Sequence, residues 1–206
     1  MWALKRPGAG DGPRLRSLRL QALRTDGSAF LETLDEAAAL NATAWEARVT
    51  RYTRRGHQVL VVAEEPGNLT WVGMAGAFLD SERDSDEFDL PDPPVGPGDR
   101  WAMVWGTYVV SQFRGQGVAD GLCAALYTWA CEEAGVDWLG LHVRDSNVAA
   151  IALYRRHGFG VVARNHHPEL GVTSLVMVRA VNSARRISPK AMRSSRQPLP
   201  DEHFLH

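Results

Sequence analysis

The segment Arg114-Gly-Gln-Gly-Val-Ala119 has the residue types of an anion-binding turn between a strand and a helix. Glycines in such a turn let backbone N–H groups converge on an anion, and the positive end of the helix dipole adds to the attraction. Arg114 would supply a full charge, so the turn suits a phosphate or a pyrophosphate. Taken alone, it could equally be an ordinary tight turn. It lacks both the Lys-Ser/Thr pair of a P-loop and the GxGxxG spacing.

A second segment, Asn147 to Phe159, reads NVAAIALYRRHGF and begins 33 residues after Arg114. In a helix that starts at Asn147, Ala150 and Tyr154 lie four residues apart on one face. A lone tyrosine at such a position usually packs in a core. The pair of segments in this order is more informative than either one, because each would place a helix N-terminus directly after a strand.

The elements that must position these segments alternate along the chain, and their order predicts an α/β domain with a mixed sheet. The predicted strands are Leu4–Arg6, Val59–Ala63, Trp71–Leu79, Trp101–Val110, Trp138–Val143, Phe159–Ala163 and Val172–Arg179. The predicted helices are one around Leu15–Leu23, Ala29–Leu40 with Ser28 as its N-cap, Ala42–Arg55, one from Val118 to about Ala134, and Asn147–Arg156 capped by Asp145 or Ser146.

Together the two segments resemble the GNAT superfamily of acyl-CoA-dependent N-acetyltransferases. The turn is similar to the family's Q/R-x-x-G-x-G/A pyrophosphate motif, and the second segment to its helix with an Asn and a Tyr. The resemblance covers about residues 58–180, and residues 1–57 match it weakly as acceptor-side helices. It implies a mixed central sheet of six to seven strands flanked by helices and splayed between the fourth and fifth strands. Residues 1–181 then form a single domain.

The resemblance also implies roles for individual residues, with acetyl-CoA as co-substrate and no metal. Asn147 would contact the pantetheine arm, and Tyr154 would lie near the thioester sulfur and protonate the leaving thiolate. The other expected acetyl-CoA contacts are backbone groups of the splayed strand and the pyrophosphate turn: Thr107, Tyr108, Val109, Val110, Arg114, Gly115, Gln116, Gly117, Val118, Ala119 and Asp120. The side chain of Asp120 must point away from the diphosphate.

The base that deprotonates the attacking amine is expected to be His142. The run Leu141–Tyr154 is similar to ribosomal-protein N-terminal alanine acetyltransferases, which carry a glutamate where this chain has His142. A neutral imidazole can also accept a proton at pH 7. If Leu141 and Val143 face the core helices, His142 points toward the acceptor. Alternatively, His142 only fills a strand position.

Other groups stay open as the base or as acceptor contacts. Glu64, Glu65 or an acid of residues 80–99 could act as the base through water. His166 and His167, in a predicted loop after the sixth strand, could touch the acceptor.

Charge is unevenly distributed along the 206 residues, although the net charge is only −1. Residues 80–99 hold eight acids, one base and four prolines, which indicates a long loop inserted in the domain. It is either a solvated insertion or an acidic rim that attracts a cationic substrate. Residues 182–206 are basic and lack apolar periodicity, so we expect a flexible tail outside the core.

Composition bears on the compartment and on the partners. Two cysteines in the chain fit a cytoplasmic protein. We expect no nucleic-acid partner, because the net charge is near zero and the five basic tail residues have no interleaved aromatics. No apolar run approaches membrane-spanning length, so no membrane partner is expected. The sequence leaves a homodimer open.

The expected activity is acetyl transfer from acetyl-CoA to a primary amine by direct attack in a ternary complex. The acceptor is either a small-molecule amine or a peptide amine, at an N-terminus or a lysine. A non-catalytic CoA-binding module is the alternative from another class. Tyr154 argues against that module, since binding alone needs no proton donor.

Overall fold

The computed structural model describes residues 2–82, 92–93, 95–167 and 171–181. Most of the acidic 80–99 segment and the whole 182–206 tail lie outside the described residues. The strands are β1 (Ala3–Lys5), β2 (Gln58–Glu64), β3 (Trp71–Leu79), β4 (Trp101–Val109), β5 (Trp138–Arg144), β6 (Gly160–His167) and β7 (Val172–Ala180). The α-helices are α1 (Gly12–Asp26), α2 (Leu34–Ala39), α3 (Ala42–Tyr52), α4 (Val118–Trp129) and α5 (Val148–Arg156).

The seven described strands form one mixed sheet in the order β1-β2-β3-β4-β5-β7-β6. Neighbouring strands are antiparallel except β4 and β5, which run parallel. The crossover between this parallel pair is α4, as parallel strands require. The predicted mixed sheet of six to seven strands is therefore confirmed.

Each face of the sheet is covered by different helices. Alternate residues of the strands pack with α4 and α5 in the largest apolar cluster, which includes Leu122, Leu126 and Trp129. The opposite face packs against α1, α2 and α3 through Leu15, Trp45 and others. We call the first the donor face, because it carries Tyr154, and the second the acceptor face, because it carries the N-terminal helices expected on the acceptor side.

Several element boundaries differ from the sequence prediction, and four of the differences have a cause in a cap or in strand pairing. The helix expected over Ala29–Leu40 is shorter, because a capping box between Thr33 and Glu36 starts α2 at Leu34 and Ser28 lies in a 3-10 turn. Helix α3 ends at Tyr52 rather than Arg55, with Thr53 as its C-cap.

The other two differences concern segments beside the expected site. Asn147, and not Asp145 or Ser146, is the N-cap of α5. Strand β6 extends to His167, because residues 165–167 pair with β7 instead of forming a loop.

Candidate active site

Strands β4 and β5 separate over most of their length, and we call the gap between them the splay. They pair only from Trp101 to Met103, opposite Trp138 to Gly140. Further along β4, Gly106 and Thr107 together oppose one residue of β3, which makes a β-bulge with Gly106 at φ 65°. The bulge and the splay turn the backbone of β4 away from β5, so this edge can take up an extended chain. The predicted splay between the fourth and fifth strands is confirmed.

The expected pyrophosphate turn follows β4 directly. A 3-10 turn over Ser111–Phe113 leads into Gly115 at φ 74° and Gly117 at φ 79°, and Gly117 is the N-cap of α4. Both glycines are in the left-handed region, which favours glycine. A Cβ added at either one would meet nothing within 4 Å. The first amides of α4, from Val118 onward, have no acceptor in the preceding turn of the helix, so the turn presents free N–H groups to open space.

Arg114 has two protein partners in addition to its place in the turn. Its Nε donates to the carbonyl of Val109 at 2.9 Å, and its Nη2 forms an ion pair with Asp26 at 2.6 Å. Close by, the hydroxyls of Thr25 and Tyr108 are 3.1 Å apart. The end of α1 is thus bonded both to β4 and to the turn. Sequence reasoning missed Thr25 and Asp26, since no local pattern marks contacts across 83 and 88 positions.

Asp120 lies in the first turn of α4 and its carboxylate is held by α5. Its Oδ1 is 3.1 Å from Nη2 of Arg156 and 3.1 Å from Nε2 of His157. Partial burial acts to raise the pKa of Asp120, but hydrogen bonds from His157 and Arg156 outweigh it and keep the pKa below its usual value. The carboxylate is therefore ionised and directed at the end of α5.

Helix α5 carries two of the expected residues, Asn147 as its N-cap and Tyr154 near its C-terminal end. The Oδ1 of Asn147 accepts from the amide of Ala150 at 3.1 Å, which leaves Nδ2 as the atom that could contact a pantetheine arm. Tyr154 is buried, with its ring 5.7 Å from that of Phe159. Burial raises the pKa of Tyr154 to about 12, while the nearby Thr107 side chain acts in the opposite direction. The hydroxyl therefore keeps its proton at every physiological pH.

His142 lies on the acceptor face of β5. Its neighbours Leu141 and Val143 are in the donor-face cluster, and side chains alternate along a strand. The His142 side chain is half-buried. Tyr154 and His142 thus lie on opposite faces of the sheet, which the splay interrupts between β4 and β5.

Two of the alternative groups, Glu64 and His166, lie on strands that do not border the splay. Glu64 is at the end of β2, with β3 between it and β4, and it forms ion pairs of 2.5 Å with Lys5 and with Arg14. Hydrogen bonds from Lys5 and, to a smaller extent, from Arg14 lower the pKa of Glu64. This carboxylate therefore already has two cationic partners. His166 is exposed on β6, with its Nδ1 3.3 Å from the hydroxyl of Thr173. The side chain of His167 lies outside the described residues.

On the acceptor face, two arginines share one glutamate in a network that sequence reasoning missed. Arg19 of α1 donates from Nε to Glu32 at 2.8 Å, and Arg48 of α3 binds the other oxygen of Glu32 at 2.7 Å. The arginines of α1 alternate with leucines, a pattern that indicates a solvated helix face. Tertiary packing places Arg19 instead between the helices and β4.

The described segments contain neither a metal-ligand cluster nor a helix suited to span a membrane. No group of three or more His, Cys, Asp or Glu side chains in these segments is placed to hold a metal ion. In the same part of the chain, no helix has both the length and the apolar character needed to cross a bilayer.

Comparison with known proteins identifies the class to which this fold and site belong. The model of the Acetyltransferase (GNAT) family matches residues 22–159, about two thirds of the chain. The chain therefore belongs to the GNAT family of acetyltransferases, and the predicted family and enzyme class are confirmed. No curated protein matches the sequence significantly.

Solved structures of the family share the fold. A GNAT acetyltransferase from Streptococcus pneumoniae has a TM-score of 0.69 at 17% identity, over 88% of this chain and 100% of that one. The yncA protein of Salmonella typhimurium, solved with its cofactor acetyl-CoA, has a TM-score of 0.66 at 16% identity, over 92% and 98%. A ribosomal-protein-alanine N-acetyltransferase from Brucella melitensis has a TM-score of 0.64 at 23% identity, over 86% and 99%.

Proposed function

We propose that this protein transfers the acetyl group of acetyl-CoA to a primary amine by direct attack in a ternary complex. The observation that carries the proposal is the splay, with the hydroxyl of Tyr154 on the donor face of the sheet and the imidazole of His142 on the acceptor face. The open glycine turn at the N-terminus of α4 supports a diphosphate at the same end of β4. The Salmonella neighbour, solved with acetyl-CoA, supports this choice of donor.

On the donor side, the diphosphate binds the amides from Gly115 to Asp120, and the pantetheine arm adds to β4 along Thr107 to Val110. The Asp120 carboxylate does not oppose the diphosphate directly, because Arg156 and His157 hold it. Asn147 and Tyr154 then face the thioester end of the arm. These contacts position the acetyl carbonyl in the splay, where an amine from the acceptor face can reach it.

The reaction uses one proton-transfer group on each face of the sheet. The acceptor arrives as an ammonium ion and gives one proton to the imidazole of His142. The free amine attacks the thioester carbonyl, a C–N bond forms and the C–S bond breaks. Before the C–S bond breaks, the tetrahedral intermediate loses a second N–H proton to solvent. The hydroxyl of Tyr154 donates its proton to the departing sulfur, and the tyrosine then regains a proton from solvent.

A covalent acetyl-cysteine route has less support. Cys123 is the cysteine that packs near Tyr154 in the donor-face cluster, and burial raises the pKa of its thiol to about 12. A thiol rather than a thiolate is therefore present at neutral pH, and a thiol is a poor nucleophile. Direct attack needs no such intermediate.

The acceptor class is a small-molecule amine or a peptide amine. The Brucella neighbour, whose name specifies ribosomal-protein alanine, supports the peptide alternative. Acetyl-CoA turnover, followed as thiol release and confirmed by the mass of the acetylated product, tests the proposal over a panel of amines and N-terminal peptides. Tight CoA binding without turnover of any amine would favour the non-catalytic module.

A further inference from the structure

The bulge in β4 changes which residues of this strand face each side of the sheet. Val104, before the bulge, and Val109, after it, both belong to the donor-face cluster. Tyr108 packs with the helices of the acceptor face. Even-numbered residues therefore face the donor side before the bulge, and odd-numbered residues do so after it. Since side chains alternate along a strand and Gly106 has none, Thr107 is the first side chain that the bulge turns to the donor face.

This turn brings the Thr107 side chain to the same face as Tyr154 of α5. Tyr154 is 8% exposed and packs in the donor-face cluster. The nearby Thr107 side chain acts to lower the pKa of Tyr154, against the larger effect of burial. A group that lowers the pKa of a phenol favours its ionised form. Without the bulge, position 107 would face the acceptor helices and could not act on Tyr154.

The Thr107 hydroxyl has no competing partner. Its Oγ1 is inaccessible to solvent and forms no hydrogen bond of standard geometry with the described residues. Other buried polar atoms of the described residues share this property, so it does not by itself indicate a role. What distinguishes Thr107 is its position beside the group that is proposed to donate a proton. Its O–H is therefore available to turn toward the oxygen of Tyr154.

A buried phenol is a poor acid unless a neighbouring group stabilises its ionised form. Burial raises the pKa of Tyr154 to about 12, because the ionised oxygen would lose its hydration. When the phenol protonates the departing sulfur, a negative charge stays on its oxygen until solvent returns a proton. A buried charge without a partner is expensive, and a hydrogen bond from a hydroxyl offsets part of that cost.

We propose that Thr107 is a positioning residue whose hydroxyl donates a hydrogen bond to the Tyr154 oxygen as that oxygen gives up its proton. The inference rests on the proposed acetyl transfer at the splay, and it adds a side-chain role to a residue that was expected to contact acetyl-CoA through its main chain. The O–H bond of Tyr154 breaks and an S–H bond forms on CoA, while Thr107 keeps its own proton. The bulge then serves both the pantetheine arm and the general acid.

The experiment compares wild type with Thr107→Val, which keeps the size and β-branching of the side chain and removes the hydroxyl. Acetyl-CoA is the donor, and the acceptor is the fastest of propylamine, spermidine and tripeptides with different first residues. Thr107→Val should lower kcat about 10-fold, as loss of a hydrogen bond to a charged group predicts. The acceptor KM and the calorimetric Kd of CoA should change less than about twofold, because the main chain at position 107 is unchanged. Thr107→Ser retains a hydroxyl and should recover most of the lost kcat.

A second comparison places Thr107→Val in the Tyr154→Phe background. If Thr107 acts through the Tyr154 hydroxyl, the added substitution should change kcat less than about twofold there, because the two effects are coupled. A loss of equal size in both backgrounds would overturn the inference, since Thr107 would then act on the thioester or on packing.

Thr53→Val is the matched control. It removes a partly buried hydroxyl that donates to the carbonyl of Val49 at 2.7 Å, in the C-cap of α3 on the acceptor face. It should change kcat less than about twofold in either background, so that the loss in Thr107→Val is specific to the place of its hydroxyl.

The outcomes separate this inference from the proposed function. A wild-type kcat in Thr107→Val would overturn the role of Thr107 and leave acetyl transfer standing. A lower kcat that Thr107→Ser does not recover, together with weaker CoA binding, would also overturn it, because Thr107 would then be structural. Absence of thiol release with every acceptor would reject acetyl transfer itself, and the inference with it.

Discussion

The donor and acceptor sides of the splay are built in different ways. In the proposed function, the donor side uses two continuous segments, the turn from Arg114 to Asp120 and the helix that begins after Asn147, and main-chain groups would supply much of its binding surface. The acceptor side has side chains from distant parts of the sequence, with Arg19 from α1, Glu32 from the segment before α2 and His142 from β5. Main-chain binding depends on backbone conformation, which glycines determine locally. Side-chain recognition depends on packing between elements, which allows the acceptor to vary on a constant donor site.

The largest expected effect isolates the donor side. Tyr154→Phe should lower kcat about 10²- to 10⁴-fold, the usual loss for a general acid, and leave the Kd of acetyl-CoA nearly unchanged. The reason is that the sulfur becomes charged only as the C–S bond breaks. Single-turnover kinetics with a separate calorimetric Kd make the measurement, and an undiminished kcat would reassign Tyr154 to packing.

The same tyrosine predicts a pH dependence of stability. Its pKa in the folded protein is about 12, above its ordinary value near 10, so the folded state binds this proton more tightly than the unfolded chain does. The resulting stabilisation is complete below about pH 10 and is lost as the pH rises toward 12. The free energy of unfolding of wild type, measured with urea, should fall over that pH range. In Tyr154→Phe this part of the pH dependence should be absent. Parallel pH profiles for the two proteins would contradict the assignment.

Substitutions of His142 test the acceptor side. His142→Ala should lower kcat/KM about 10²-fold near neutral pH, because the attacking amine loses its proton acceptor. The variant should also lose one ascending limb of the pH profile while the limb of the amine itself remains. His142→Glu should retain activity and move the limb to lower pH, since a carboxylate titrates below an imidazole. A His142→Ala enzyme with the wild-type rate and profile would place the base elsewhere.

The glycine turn tests whether main-chain binding dominates on the donor side. Gly117→Asp should weaken CoA binding about 10- to 100-fold, because its carboxylate enters the open space in which the diphosphate is expected. Gly67→Asp is a matched control, with φ 94° and no atom within 4 Å of an added Cβ, in the turn between β2 and β3. It carries the same backbone strain and charge, so it should reduce stability alone. Calorimetry that finds equal CoA affinity in both variants would exclude the turn as the diphosphate site.

The smallest expected effect concerns the ion pair between Asp26 of α1 and Arg114 of the turn. Asp26→Asn should tighten CoA binding about two- to fivefold, because Arg114 is then no longer neutralised beside the turn. Both side chains are more than a third exposed, so the ion pair is screened and the gain should shrink with added salt. An affinity that falls, or that is insensitive to salt, would show that Asp26 acts only by positioning Arg114.

The sequence by itself determined the donor side and the sheet that supports it. The apolar strands, the glycine spacing after β4 and the helix from Asn147 to Tyr154 are local features, and a motif of this kind can be recognised without knowledge of what packs against it. Even local prediction erred where a cap decided a boundary. Thr33 and Glu36 together start α2, and residues 165–167 join β6 because β7 offers them partners.

Only the tertiary structure decided which distant side chains meet at the site. The ion pair of Arg114 with Asp26, the hydroxyl contact of Thr25 with Tyr108 and the approach of Arg19 to Gly106 leave no periodic trace in the sequence. An arginine between two leucines on a helix has the same pattern whether it reaches water or turns beneath a neighbouring element. Helix packing on the acceptor face and the bulge in β4 make that choice, because they determine where each guanidinium finds its partners.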